Sequence, residues 1–282
     1  MAKVAIIADV HAGNLSAASG EVEGSLNDRF RKTLLMLYNA ILDVDVLVIA
    51  GDLFDTSKPL PQMVRAVGQI LQGVPRTVLI VGNHDQHSTT PGDNAMAVLE
   101  LIEGVTVYEA PARIDDLGMT VVPYGYDYRD AEAVVRAGDI VVAHHGIRDD
   151  AMEAWTRDKG VPVDDLVEFL GKTGASHYLA GDWHTRRSWG RGRIQQIGAL
   201  SPKDWSNPGF EGYGTVLTYD TNAAMKLIPG TAIAAVDVQR RVVPGPRFIT
   251  SSDPADVLEH KECRWLYVKT MYPASARDFP PG

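Results

Sequence analysis

The chain has 282 residues, 45% hydrophobic and 22% charged, enough to bury one or two cores and unlike a disordered, collagen-like or coiled-coil sequence. Its 27 Lys and Arg against 36 Asp and Glu leave a formal charge of -9. That argues against a protein held on nucleic acid by bulk charge, though not against an enzyme whose carboxylates surround cations. The single cysteine, Cys263, excludes an internal disulfide and a thiolate zinc site, and no run reaches the roughly 18 apolar residues of a membrane span. A reducing cytoplasm and no membrane are the expectation.

In chain order, residues 4–10 read as a buried strand. Leu26, Phe30, Leu34, Leu37, Tyr38 and Ile41 then recur at helical spacing, with Ser25 and Asp28 as a capping box. A second strand covers residues 44–50. Pro61 opens a helix carrying Val64, Val67 and Leu71 on one face, closed by Gly73 and Pro75. Residues 77–81 form a third strand, and a helix is expected over 94–103, stopped by Gly104. The middle turns to strands: 105–108, a hairpin at Asp116-Leu117-Gly118, 121–123 and 140–143. Helical patterns return between about 149 and 170, followed by strands at 178–180, 215–219, 238–243 and 265–272. Alternating strand and helix units with a strand-rich second half predict a mixed α/β layered domain.

Five strands each end in metal-competent side chains: Asp9-Val10-His11, Gly51-Asp52-Leu53-Phe54-Asp55, Gly82-Asn83-His84-Asp85, His144-His145-Gly146 and Gly181-Asp182-Trp183-His184. Open α/β sheets place their sites past the carboxyl ends of strands. Mixed Asp, His and Asn ligands suit Mn, Fe or Zn, and the glycines let the backbone turn sharply. Any one segment alone reads equally as a cap or a turn. The five in this order do not.

Together they resemble the calcineurin-like metallophosphoesterase superfamily, whose pattern D-x-H, G-D-x-x-D, G-N-H-D/E, a strand-end H and G-H-x-H is matched over residues 9–184. Within it, the stretches 50–59, His144-His145-Gly146-Ile147 and Ile197-Gly198-Ala199-Leu200-Ser201-Pro202 look most like the SbcD-type DNA repair exonucleases. The protein phosphatases read GDxVDRG and GNHE where this chain reads GDLFDTS and GNHD. The resemblance implies an α/β fold, a four-layer αββα sandwich over residues 1–225, with 226–282 as a short β-rich extension forming a reduced or partial cap. It implies two divalent ions, Mn2+ first, with Mg2+, Fe2+ or Zn2+ as alternatives. Asp9, His11 and His184 would hold one ion, Asn83 and His144 the other, and Asp52 would bridge them. His144 is preferred over its neighbour His145. His84 would stabilise the transition state or protonate the leaving oxygen, with Asp55 orienting its ring.

One position departs from the pattern. The first His of G-H-x-H is here Asp182, expected to ligate as a harder, charged donor rather than merely to turn the chain. His177 is a weaker substitute, because it precedes its strand.

The activity implied is phosphodiester hydrolysis by metal-activated hydroxide, foremost a Mn-dependent DNA nuclease. A nucleotide or cyclic-nucleotide phosphodiesterase comes next, and a non-catalytic scaffold last. The partners implied are DNA, an SbcC-like ATPase and a second copy of the chain. Arg186 and Arg187 open the densest basic stretch, residues 185–193, which either grips phosphates beside a stacking Trp189 or forms a solvated hairpin. Tyr124, Tyr126 and Tyr128 either line a substrate cleft or belong to a half-buried strand.

Overall fold

Short apolar runs bounded by Gly, Pro and Asp become strands when both of their faces find cover. The computed structural model describes residues 2–13, 28–149, 159–201, 213–221, 226–227, 234–251 and 265–270. The first half supplies β1 (Lys3–Ile7), α1 (Asp28–Ala40), β2 (Val46–Ala50), α2 (Pro61–Leu71), β3 (Arg76–Ile80) and β4 (Val105–Tyr108). The second supplies β5 (Ala112–Ile114), β6 (Met119–Val122), β7 (Ile140–His144), β8 (Ile147–Arg148), β9 (Val161–Pro162), α3 (Val163–Thr173), β10 (His177–Gly181), β11 (Arg187–Trp189) and β12 (Ile194–Gln196). After these come β13 (Tyr213–Asp220), β14 (Lys226–Leu227), β15 (Ala234–Ala235), β16 (Gln239–Pro244), β17 (Pro246–Ser251) and β18 (Trp265–Thr270).

Two six-stranded sheets form, in the orders β16-β13-β1-β2-β3-β4 and β11-β12-β10-β7-β6-β5. Strands run parallel from β1 through β4 and among β6, β7, β10 and β12, while β13 and β16 at one edge of the first sheet and β5 and β11 at the two edges of the second pair antiparallel. Alternation along the strands sorts the side chains into three cores. Ala5, Ile7, Leu47, Ile49 and Leu79 face Phe30, Met36, Leu37, Val67 and Leu71 of α1 and α2. Val4, Ile6, Val46, Val48, Val78 and Ile80 point the other way and meet Met119, Val121, Ile140, Val142 and Leu179 of the second sheet. Val141, Ala143, Tyr178 and Ala180 pack under Leu166, Phe169 and Leu170 of α3. The layers are therefore helix, sheet, sheet, helix, as the sequence implied. Each fully buried Leu, Ile or Phe in these cores contributes about 1.5–3 kcal/mol.

Local signals explain the helix limits. α2 begins with Pro61 at its first position, where a missing N–H costs nothing. α3 carries Asp164 and Asp165 in its first turn and Lys172 in its last, favourable at each end of the helix dipole, and Gly174 ends it in the left-handed region at φ 75°. The expected hairpin forms between β5 and β6, with Gly118 at φ 56°.

The helix expected over 94–103 is instead a short 3-10 turn, Ala97–Leu101. Leu99 is buried, but Val98 and Leu101 are 50% and 86% exposed, so no continuous apolar stripe holds a longer helix down. Ser25, the expected cap of α1, and part of the helical pattern near 150 lie outside the described residues.

Within the expected C-terminal extension, β16 is hydrogen-bonded along β13 at the edge of the first sheet, and Arg241 donates to the carbonyls of Asn39 and Ala40 at the end of α1. β17 and β18 pair with each other in parallel. No described helix is long and apolar enough to cross a membrane.

Candidate metal centre

β1, β2, β3, β7 and β10 all deliver their carboxyl ends to the seam between the two sheets. The expected first strand stops at Ile7 because Asp9 and His11 leave extended geometry, with φ of 52° and 47°. Asp52 and Asp182 share this left-handed backbone at 52° and 85°. Such residues cost about 1–3 kcal/mol each and gather at functional sites. Main-chain bonds hold the strain in place: Asp9 N–H to the Gly51 carbonyl at 3.2 Å, His11 N–H to Asp52 at 3.0 Å and Ala12 N–H to Leu53 at 2.8 Å. Gly51 has φ 82°, and a Cβ there would lie 1.9 Å from His144 Nδ1. At Gly82 a Cβ would lie 2.3 Å from Asp52 Oδ1. A Cβ at Gly181 would lie 2.3 Å from the Ala50 carbonyl oxygen, so the turns carrying Gly51, Gly82 and Gly181 all require glycine for space.

Asp52 lies between two groups of ligands. Its Oδ1 is 3.3 Å from His144 Nε2 and accepts the His84 N–H at 2.9 Å, while Oδ2 is 3.7 Å from His11 Nε2. On the first side, His11 Nε2 is 2.9 Å from His184 Nε2, and His184 Nε2 is 3.9 Å from Asp9 Oδ1. On the second, His144 Nδ1 donates to the Ala50 carbonyl at 2.7 Å, which turns Nε2 toward Asn83 Oδ1 at 3.1 Å.

Three overlapping sets each keep their ligand atoms within 4.8 Å of one another: Asp9 with His11 and His184, His11 with Asp52 and His84, and Asp9 with Asp52 and His144. Asp9, His11, Asp52 and His144 are all nearly or fully buried. Lone pairs from carboxylates, an amide and imidazoles converge there with no Lys or Arg among them, a donor set that fits hard-to-borderline divalent ions.

The proton energetics point the same way. Burial opposes charge on His144, yet the Asp52 carboxylate beside it raises its pKa to about 10. Burial works against Asp52 too, but His144 and His11 hold its carboxyl below the usual range. Burial pushes Asp9 well above that range, and the charges of Asp52 and Asp182 add to the shift against the pull of His144. The cluster demands positive charge, which protons supply when no metal does.

Asp182 enters through its main chain. Its N–H reaches both carboxylate oxygens of Asp9 at 3.1 Å each, its own carboxylate accepts from the Gly146 backbone, and it belongs to none of the three sets. Asp55 differs in detail from the expectation. It is the Asp55 carbonyl that takes His84 Nδ1–H at 2.9 Å, whereas the Asp55 carboxylate lies 3.2 Å from His11 Nδ1. His145 turns away from the ligands, stacking on Tyr178 and accepting its hydroxyl at 3.0 Å.

Arg186 reaches Gln195 Oε1 at 3.3 Å across the β11–β12 hairpin, and Arg187 lies 3.9 Å from Asp149 just past β8. Tyr128 is core, edge-on to Phe169, while Tyr124 and Tyr126 remain exposed.

Two positioning residues carry no motif signal for ligation. Asp85 is fully buried and accepts three main-chain N–H groups: Phe54 at 2.9 Å, Gly82 at 3.1 Å and Leu53 at 3.3 Å. Burial, then the charge of Asp52, raises its pKa to about 7 against the pull of the Phe54 and Gly82 N–H groups. Gln196 accepts the Ile147 N–H and donates to the Ala180 and Gly181 carbonyls, joining the ends of β7 and β10. The clue to Asp85 was its place in the tight turn after β3. Gln196 gave none.

His177 sits at the opposite end of β10, where burial and then the Arg193 charge lower its pKa to about 4. A depressed histidine lets the unfolded chain take its proton first, so folding weakens as pH falls from about 6.5 toward 4. His177→Asn should therefore flatten the acid limb of the Tm against pH profile. An unchanged slope would refute this.

A sequence model described as Calcineurin-like phosphoesterase matches residues 2–198. A solved archaeal phosphodiesterase aligns over 86% of this chain and 99% of its own, at 12% identity and a TM-score of 0.43. Two curated phosphoribosyl-imidazolecarboxamide isomerases of Aliivibrio fischeri, strains MJ11 and ES114, are 30% identical over 115 residues, 41% of this chain. The chain spans just under half, 45%, of the length of those relatives. With the larger part of its length matched, sandwich and metal-competent turns included, the chain belongs to the calcineurin-like phosphoesterase family.

Proposed function

We propose that the chain hydrolyses phosphodiester bonds with two divalent ions, Mn2+ foremost, and that DNA is its substrate. The observation that carries this reading is the Asp52 carboxylate, with one oxygen 3.3 Å from His144, whose ring meets Asn83, and the other 3.7 Å from His11, whose ring meets His184. Bound there, two divalent ions supply Lewis acidity toward the phosphate and a hydroxide near neutral pH. The chain's own part is geometric and electrostatic. The Ala50 carbonyl fixes the His144 ring with Nε2 inward, and the Asp55 carboxylate beside His11 Nδ1 aims its Nε2 at the centre. His84 stands edge-on to His11 at 4.9 Å. Its Nδ1–H is held by the Asp55 carbonyl, so a proton given to a leaving oxygen comes from Nε2. The likeness of residues 50–59 and 197–202 to SbcD-type nucleases supports DNA as the substrate.

The test is to strip the protein of metal, reload it with Mn2+ and assay labelled DNA beside bis(4-nitrophenyl) phosphate. Metal-dependent cleavage of both is expected. Turnover of the small diester alone would replace DNA by a nucleotide-sized substrate, and turnover of neither would overturn the proposal.

A further inference from the structure

Beside the Asn83 and His144 half of the centre lies a cavity of about 410 Å³, its walls including Val81, Gln86, Asp93, Glu109, Tyr124 and Tyr126. That volume falls in the range of small-ligand sites, about 300–1,000 Å³. Two links tie it to the centre. Val81 directly precedes Gly82-Asn83, and its carbonyl accepts the Tyr124 N–H at 2.9 Å. The Tyr124 ring stands edge-on to His144, 6.3 Å between centroids.

The chemistry of the walls is specific. Tyr124 and Tyr126 are 42% and 41% exposed, where the packed Tyr178 and Tyr128 are 0% and 5%. Both keep exposed aromatic area that a flat ligand would cover. Among the described residues no Lys or Arg lines the cavity while two carboxylates do, which disfavours a phosphate there and leaves it to the metal centre. Those carboxylates are held in place: Glu109 by the Gly92 N–H at 2.8 and 2.9 Å and by Asn94, Asp93 by the Ser88 hydroxyl at 2.5 Å. They retain lone pairs for further donors.

We propose that this cavity is a base subsite. It receives the nucleobase of the nucleotide whose phosphate occupies the metal centre, and it favours bases that carry an exocyclic amine. The tyrosines stack on the base and the fixed carboxylates accept from the amine. The proposal rests on the phosphoesterase reading above and narrows it to nucleotide substrates.

The test is calorimetric titration of the Mn2+-loaded protein with dAMP, dTMP and 2-deoxyribose 5-phosphate, which needs no turnover. dAMP should bind about tenfold more tightly than 2-deoxyribose 5-phosphate, with dTMP between them. In Tyr124→Ala with Tyr126→Ala the ratio of dAMP to sugar phosphate affinities should fall toward one, and the paired Tyr→Phe variants should keep it. Equal binding of dAMP and the sugar phosphate by the unaltered protein would overturn the subsite and leave the phosphoesterase reading standing. dTMP binding as tightly as dAMP would overturn the role given to the carboxylates. If none of the three binds, the phosphoesterase reading falls and the subsite with it.

Discussion

Asp52→Asn should lower phosphodiester hydrolysis by well over about 100-fold, the upper end of what losing a group that merely supports a ligand costs. The substitution keeps the size and shape of the side chain. What it removes is a carboxylate with one oxygen 3.3 Å from His144 and the other 3.7 Å from His11. Calorimetric titration with Mn2+ should show one tight ion where the unaltered protein binds two, or weakened binding of both. The metal-free protein is also affected. Because His144 and His11 hold the Asp52 carboxyl below its ordinary range despite burial, its ionised form contributes stability above pH 4, lost as pH falls through the folded value. The variant should therefore melt at lower temperature near pH 7 and lose less on acidification. Full activity in the variant would remove Asp52 from the centre.

The sequence was most legible where one residue type had no bland alternative. Parallel strands covered on both faces must be continuously apolar, so β1, β2, β3 and β7 stood out as runs, and the polar residues just past them marked the seam. Less visible was anything carried by the main chain across sequence. The Ala50 and Asp55 carbonyls that hold His144 and His84 are 94 and 29 residues from the rings they orient, and a carbonyl leaves no mark in the amino-acid order. The left-handed backbone at Asp9, His11, Asp52 and Asp182 was hidden for a related reason. Such strain persists only because neighbouring turns bond to one another, and those turns come from separate strands. Arg186 and Arg187 likewise have contacts, with Gln195 and Asp149, that the local sequence does not bring near. β16 followed the same logic: its strand pattern was plain, and its partner β13 was not.

Asp85→Asn should separate positioning from ligation. Asp85 is fully buried and lies outside the three ligand sets, but its carboxylate draws the turn after β2, through Leu53 and Phe54, onto the turn after β3, through Gly82. Those turns carry Asp52 on one side and Asn83 and His84 on the other. An amide of the same size still offers one oxygen, but it places an NH2 against groups that are themselves donors, and a buried donor left without an acceptor costs about 1–3 kcal/mol. The turns move apart, and since Asp52 Oδ1 also accepts the His84 N–H at 2.9 Å, Asp52 and His84 shift together. Activity should fall about 10–100-fold, with Mn2+ affinity weakened by a similar factor. Destabilisation alone would imitate part of this, so the comparison is Leu166→Ala, a buried residue on the sheet-facing side of α3 whose truncation costs about 2–5 kcal/mol. At a temperature where both variants stay folded, Leu166→Ala should keep its Mn2+ affinity and its activity. Asp85→Asn should lose both. Equal Mn2+ affinity in the two variants would show that Asp85 supports only the fold, and that the two turns find their places without it.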